Sequence, residues 1–383
     1  MKNQNRMTAS FTNYAARLRR LLHPWPVSPR GGIHADITES CFNELAIELF
    51  ALQFNHNRLY RKLCEARGVS PAQVSIWQQL PAVPAAAFKG LELTSLPEAD
   101  RTALFLSSGT TEQKPSRHFH NAQSLDLYEA SVVPWFQAHL WPEAQAKLEL
   151  VFLAPPPSLA PYSSLVHMLA TIRRQLGAPG SQFTGAVAGD GRWTLDLPKT
   201  ISALENAMAA HRPIALLGTA FNFVHLLDRL AQMQRRLPLP EGTRLMETGG
   251  YKGRSRSLPK AELHANITER LGIPAARIVS EYGMTELSSQ AYDWKVPAPG
   301  AQVETVKRTF HFPPWARVQI ISPETGVEVG EGATGLLRVC DLANLHSALA
   351  VQTEDLAVRR GAGFELLGRA AAAEPRGCSR MTA

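Results

Sequence analysis

The sequence predicts an α/β protein with parallel strands covered by helices, followed by a small antiparallel β subdomain. Three observations carry that expectation. From residue 100 onward, short apolar runs each lead into a loop of small residues and then a helical pattern, the mark of repeated β-loop-α units. After Pro297-Ala298-Pro299-Gly300 the helical patterns stop and short apolar runs separated by turn residues take over. Finally, 383 residues that are 45% hydrophobic and 19% charged have the composition of an ordinary globular protein, and suffice for one large core plus a smaller unit. The expected organisation is a helical region over 1–99, an α/β core over 100–300, an antiparallel subdomain over 301–369 and a flexible tail over 370–383.

Taken in order, Tyr14 to Leu22 is a basic amphipathic stretch closed by Pro24 and Pro26, too short for membrane attachment and suited to docking on the body. From Ser40 to Gly68, the residues Phe42, Leu45, Leu49, Leu52, Leu59 and Leu63 recur mostly at three- and four-residue steps, which predicts an amphipathic helix. Cys41 and Cys64 fall in it as core thiols. Ala103–Leu106 leads into a Ser/Gly/Thr loop and a helix over Ser124–Leu140; Leu148–Leu153 leads through Pro155-Pro156-Pro157 to a helix over Leu165–Leu176. Ile214–Leu217 leads through Gly218-Thr219 to Phe223–Leu230, and Leu245-Met246 leads through Gly249-Gly250 to Lys260–Leu271 and a strand over Arg277–Ser280. Val318–Ser322, Gly335–Cys340, Ala350–Thr353 and Phe364–Leu367 are the expected antiparallel strands, with Cys340 in the strand core. In folds of this kind the ligand loops lie at the C-terminal ends of the parallel strands.

The formal charge of +7 suits an anionic ligand, but Lys and Arg are scattered beyond short pairs such as Arg19-Arg20 and Arg235-Arg236, which argues against nucleic acid as a partner. Four cysteines without a C-x-x-C pair indicate neither a zinc site nor a disulfide framework. The first residues lack the apolar centre of a secretory signal and no apolar run reaches spanning length, so a cytoplasmic protein without a membrane span is expected.

Four segments carry candidate chemistry. Ser107, Ser108, Gly109, Thr110 and Thr111, followed by Lys114, offer backbone N–H groups, hydroxyls and a cation that can converge on phosphate oxygens; the same residues also suit an ordinary surface turn. In Glu281-Tyr282-Gly283-Met284-Thr285-Glu286, a tyrosine can stack on a purine, a glycine permits close backbone approach, a threonine can bond phosphate and a carboxylate can hold Mg²⁺. Tyr282 as a core residue and Glu286 as a helix-start charge are the plainer alternatives. Gln352-Thr353-Glu354-Asp355 puts a carboxylate after a strand, where it can accept ribose hydroxyls or simply close a turn. Gly368-Arg369 is the fourth.

These motifs, in this order and with a Gly-Gly after a strand between them, resemble the adenylate-forming superfamily of acyl- and aryl-activating enzymes. Within it, the flanking text is similar to the LuxE acyl-protein synthetase branch, related to phenylacetate-CoA ligases: Pro84-Ala85-Ala86-Ala87-Phe88-Lys89, Glu281 to Gln290, and Gly368-Arg369 with Glu374 to Ser379. The resemblance implies a large adenylate-forming domain and a two-step reaction in which a carboxylic acid, with a fatty acid as the expected class, becomes acyl-AMP at the expense of ATP and a thiol then takes the acyl group. It assigns phosphate binding to Ser107–Thr111 and Lys114, and adenine and the reacting carboxylate to Gly249, Gly250, Tyr282 and Gly283. Thr285 and Glu286 would serve phosphate and Mg²⁺, Asp355 the ribose, and Arg369 the domain boundary. The superfamily's mobile C-terminal domain and its lysine have no counterpart after Arg369, with Lys114, Lys252 and Arg376 as candidate substitutes. Cys378, flanked by Arg376 and Arg380 that favour its thiolate, matches the family's acceptor cysteine. Phe221, Phe223 and His225 after Gly218-Thr219 can line an acyl pocket or serve as helix core. Expected partners are the acid and an acyl-accepting reductase or carrier protein, with a homodimer unsurprising. An acyl- or aryl-CoA ligase and a non-catalytic nucleotide- or acyl-binding subunit are the alternatives.

Overall fold

The computed structural model describes residues 2–22, 37–107, 114–143, 147–189, 191–249, 258–297 and 307–370. Ser108 to Thr111, Gly250, Lys252, Arg376 and Cys378 lie outside the described residues.

The chain opens with helix α1 (Lys2–Leu22), which buries Phe11, Tyr14, Ala15, Leu18 and Leu22. The periodic stretch that follows is broken into α2 (Glu39–His56) and α3 (Arg58–Ala66) rather than forming one helix. Asn57 causes the break. Its extended backbone ends α2, its side chain accepts the Tyr60 N–H to start α3, and its amide donates to the Ser347 carbonyl at 3.3 Å. A two-residue strand β1 (Val83–Pro84) and a short turn of helix α4 (Ala87–Gly90) precede β2 (Ala103–Leu106).

Here the sequence pattern misleads. Strand β2 does not join the parallel sheet: it pairs antiparallel with β3 (Arg117–His120), from Ala103 opposite His120 to Leu106 opposite Arg117. The segment between them therefore closes a hairpin instead of crossing to a helix, because β3 is too short and too polar to announce itself by periodicity. Helix α5 (Ala122–Leu140) follows, capped by Asn121.

The expected parallel units follow, with β5, the β6–β7 hairpin, α7 and β11 added to them: β4 (Glu149–Leu153), α6 (Ser164–Leu176), β5 (Gln182–Phe183), a hairpin of β6 (Gly185–Val187) and β7 (Trp193–Leu195), α7 (Leu197–Ala209), β8 (Ile214–Thr219), α8 (Ala220–Gln232), β9 (Arg244–Thr248), α9 (Lys260–Leu271), β10 (Ile278–Tyr282) and β11 (Ala291–Tyr292). The sheet order is β11-β10-β9-β8-β4-β5, parallel except for β11 at one edge. Alternate residues divide between two cores, as period-two geometry requires for a sheet covered on both faces. Leu150, Phe152, Leu217, Met246 and Val279 join the core shared with α5 and α6; Val151, Leu153, Leu216, Leu245 and Ile278 join the one built with α7, α8 and α9.

Strands β12 (Ala316–Ile321), β13 (Thr334–Asp341), β14 (Ala350–Arg360) and β15 (Gly363–Arg369) form the antiparallel sheet. It takes a fifth strand from far away: β1 runs parallel to β14, with Val83 opposite Val351. The amino-terminal helices also lock onto this sheet. Tyr14 donates to the Leu342 carbonyl at 3.1 Å, and Gln53 donates to the Asn344 carbonyl at 2.6 Å while accepting the Leu349 N–H at 2.9 Å. One core thus runs from Phe11 to Phe364. Among the described residues no helix is long and apolar enough to cross a membrane.

Candidate active site

The C-terminal ends of β9 and β10, the base of the β2–β3 hairpin and the paired strands β14 and β15 bring most of the motif residues together. Gly249 follows β9 with φ +73°, in the left-handed region that glycine adopts without penalty. At the end of β10, Tyr282 is buried with its ring edge-on to Phe310, Phe312 and Phe364 at 6.1, 6.2 and 5.9 Å, and its hydroxyl donates to Asp355 Oδ2 at 2.7 Å. The plainer sequence reading of this tyrosine holds, since the ring is core; its hydroxyl adds a polar contact that the sequence did not announce. Gly283 is exposed, and a Cβ there would collide with Glu281 Oε1, which explains the glycine.

Asp355 lies opposite Arg369 in the β14–β15 register, with the guanidinium Nε 3.8 Å from Oδ1. Burial pushes the Asp355 carboxyl above its ordinary value, while Tyr282 and Arg369 oppose the shift. Arg369 is largely exposed, so this end of the site faces solvent.

The other end is enclosed. Glu286 is 5% exposed, and burial raises its carboxyl against a hydrogen bond from the Ser116 side chain and the charges of Arg369 and Lys89. Ser116 sits just before β3, where its N–H reaches Ser107 Oγ at 2.8 Å and its carbonyl accepts the Ser107 N–H at 3.1 Å, pinning together the ends of β2 and β3. Lys114 is exposed beside it.

The backbone of the Thr285–Ser289 turn is held by buried side chains from several elements. His118 on β3 meets the Thr285 carbonyl through Nδ1 at 2.8 Å, Asn344 donates to the Glu286 carbonyl at 3.0 Å, and Ser131 on α5 donates to the Ser288 carbonyl at 2.6 Å. Asp341, at the end of β13, accepts from the Ser288 N–H at 2.9 Å, the Ser289 hydroxyl at 2.8 Å and the Ala343 N–H at 3.0 Å. Sequence reasoning missed all four. The alternation Ser116-x-His118-x-His120 after a candidate phosphate loop was a usable signal; Asp341, Asn344 and Ser131 act through contacts distant in sequence and carry none.

Beneath the turn lies Glu281, buried, accepting from the Thr248 hydroxyl and pushed up to about 7 by burial. On the opposite sheet face, Glu247 accepts from the Ser280 hydroxyl and lies 3.4 Å from His264 Nε2.

The three residues expected at an acyl pocket lie on α8, which starts directly after β8. Phe223 is buried in the core beneath α8 together with Leu226, Leu227 and Leu230. Phe221 and His225, four residues apart on another face of that helix, stack on each other at 6.2 Å, and His225 is exposed. The helix stripe used the apolar spacing for packing. Cys64 and Cys340 are buried as expected, while Cys41 is only partly buried.

A family model described as acyl-protein synthetase, LuxE, matches residues 33–383. The chain belongs to that family. The fold is shared with solved structures of 2-hydroxyisobutyryl-CoA ligase. The open conformation in complex with 2-HIB-AMP and CoA has a TM-score of 0.60 at 13% identity, over 86% of this chain and 69% of that one. The postadenylation state with 2-HIB-AMP gives 0.60 at 14%, over 86% and 67%, and the thioesterification state gives 0.58 at 14%, over 84% and 63%. No curated protein sequence matches the chain. The family and the α/β class implied by the motifs are the ones found; the LuxE-type chain spans about two thirds of the ligase's length.

Proposed function

We propose that this LuxE-family chain activates a carboxylic acid, with a fatty acid as the expected class, by ATP-dependent adenylation and passes the acyl group to a protein thiol. The observation that carries the proposal is the meeting of Tyr282, Asp355 and Arg369 with Ser116, Thr285 and Glu286 at the edge where β9 and β10 end. Asp355 accepts the ribose hydroxyls, held for that purpose by Tyr282. Ser107 and the loop after it, with Lys114 and the nearby Lys89, bind the outer phosphates.

Glu286 is suited to Mg²⁺. It is a buried carboxylate beside the Ser116 hydroxyl and next to Thr285, and such a carboxylate can hold an ion that takes its remaining ligands from phosphate and water. When bound, the ion supplies charge neutralisation between two anions that must approach each other. A carboxylate oxygen of the acid attacks the α-phosphorus and pyrophosphate leaves; a thiolate then attacks the acyl carbon and AMP leaves. Holding both anions in line is most of what the first step needs.

The acceptor is assigned to Cys378. The Ala370 N–H bonds the Glu354 carbonyl at 2.9 Å, next to Asp355, so the segment leading to Cys378 sets out from the ribose side of the site. Eight further residues span at most about 28 Å.

Acid-dependent ATP–pyrophosphate exchange tests the reading. Glu286→Ala is expected to lower exchange by about 100-fold or more, the range for loss of an electrostatic stabiliser, and chelation of Mg²⁺ to abolish it. Cys378→Ser is expected to keep exchange and lose thioester labelling of the protein by radioactive acid. A wild-type chain that binds ATP without exchange in the presence of any acid would reduce it to a binding subunit. The fold shared with a CoA ligase supports a second reading with CoA as the thiol, for which release of acyl-CoA by the Cys378→Ser variant would decide.

A further inference from the structure

We propose that His118 is a positioning residue for adenylation: its Nδ1–H holds the Thr285 carbonyl and thereby fixes the Thr285-Glu286 turn against the hairpin that carries the phosphate loop. The inference deepens the function proposed above and rests on it.

Ser116, His118 and His120 alternate along the chain, so they share one side of the strand. Two of them reach the same turn. The Ser116 side chain bonds the Glu286 carboxylate, and His118 Nδ1 lies 2.8 Å from the Thr285 carbonyl. A carbonyl oxygen only accepts, so Nδ1 carries the proton. The ring is 3% exposed and lies 4.2 Å from the His120 ring, tilted by 32°. Burial lowers its basicity to about 4, so it acts as a neutral donor.

The other restraints on the turn have a different origin. Asn344, Asp341 and Ser131 tie it to the antiparallel sheet and α5. Among the described residues, Ser116 and His118 are the side chains that tie it to the β2–β3 hairpin, whose base Ser107 closes. Without the His118 bond, the Ser116–Glu286 contact is left to hold the hairpin to the turn, and the groups assigned to phosphate on the two are less tightly fixed relative to each other. Transition-state alignment is then affected, and recognition of the acid is not.

The experiment compares His118→Phe, which keeps ring volume and removes the donor, with His118→Asn, whose Nδ2 sits near the place of Nδ1 and keeps it. In acid-dependent exchange, His118→Phe is expected to lower kcat by about 10- to 100-fold with the KM for the acid unchanged, and His118→Asn to recover to within several-fold of wild type. Exchange at the wild-type rate in His118→Phe would overturn the proposal. So would equal loss in both variants at unchanged thermal midpoints, since the ring rather than the bond would then matter. ¹⁵N NMR of the wild-type imidazole gives a readout independent of variant folding and of activity: protonated Nδ1 is expected, and protonated Nε2 alone would overturn the assignment. A wild-type chain without exchange would instead overturn the functional reading, while the NMR result would still judge the His118 bond.

Discussion

The two ends of the candidate site are built in opposite ways. The Thr285–Ser289 turn is buried, with its polar backbone groups met by His118, Ser131, Asp341 and Asn344 from separate elements. The other end, proposed to take the ribose, rests on two adjacent strands, one tyrosine hydroxyl and an exposed arginine. Buried hydrogen-bond networks fix geometry but make each member costly to lose, whereas half-exposed groups can be satisfied by water or ligand. Under the proposed function, the contrast places rigidity where charge is aligned and leaves the more exposed end to be completed by a nucleotide.

The largest effect should follow from breaking the enclosed end. Asp341→Ala leaves the Ser288 and Ala343 N–H groups and the Ser289 hydroxyl without their acceptor, so urea unfolding should show a loss of about 3 kcal/mol or more. A change below about 0.5 kcal/mol would mean the turn is not held as described.

Glu281 gives the next effect, and it depends on pH. Its carboxyl is raised from 4.5 to about 7 in the folded chain, so the folded state keeps a proton that the unfolded state releases between those values. Its contribution is therefore fully present below pH 4.5, falls as pH rises to about 7 and is constant above. Glu281→Gln lacks this titration, and its stability relative to wild type should climb across that window by up to about 3 kcal/mol. A difference independent of pH would show that Glu281 is not a buried, raised acid.

Asp355→Ala should be the mildest. Its expected signature is a KM for ATP raised about 10-fold, about 1.4 kcal/mol, with kcat and stability little changed. Loss of kcat at constant KM would erase the distinction between the two ends.

How far the sequence could be read follows the same division. The units built on β4, β8, β9 and β10 were legible because each strand carries a short apolar run followed by small loop residues; β5 to β7 and α7 were not. Tyr282, Glu286 and Asp355 could be singled out in the sequence because each belongs to a local motif. The β2–β3 hairpin was not, since four residues reading Arg-His-Phe-His give no strand period. Of Phe221, Phe223 and His225, the structure puts Phe223 in the core and Phe221 with His225 on another face, a division that helix periodicity alone does not give.

The order of the motifs by itself determined the family, and the alternation of apolar residues determined the parallel sheet, since both are properties of neighbours in the chain. Only tertiary structure decided that Val83 would lengthen a sheet formed some 270 residues later, or that His118, Ser131, Asp341 and Asn344 would meet one turn. Those contacts arise when separate elements bury a common core, and an unpaired polar group inside it must find its partner wherever packing has brought one.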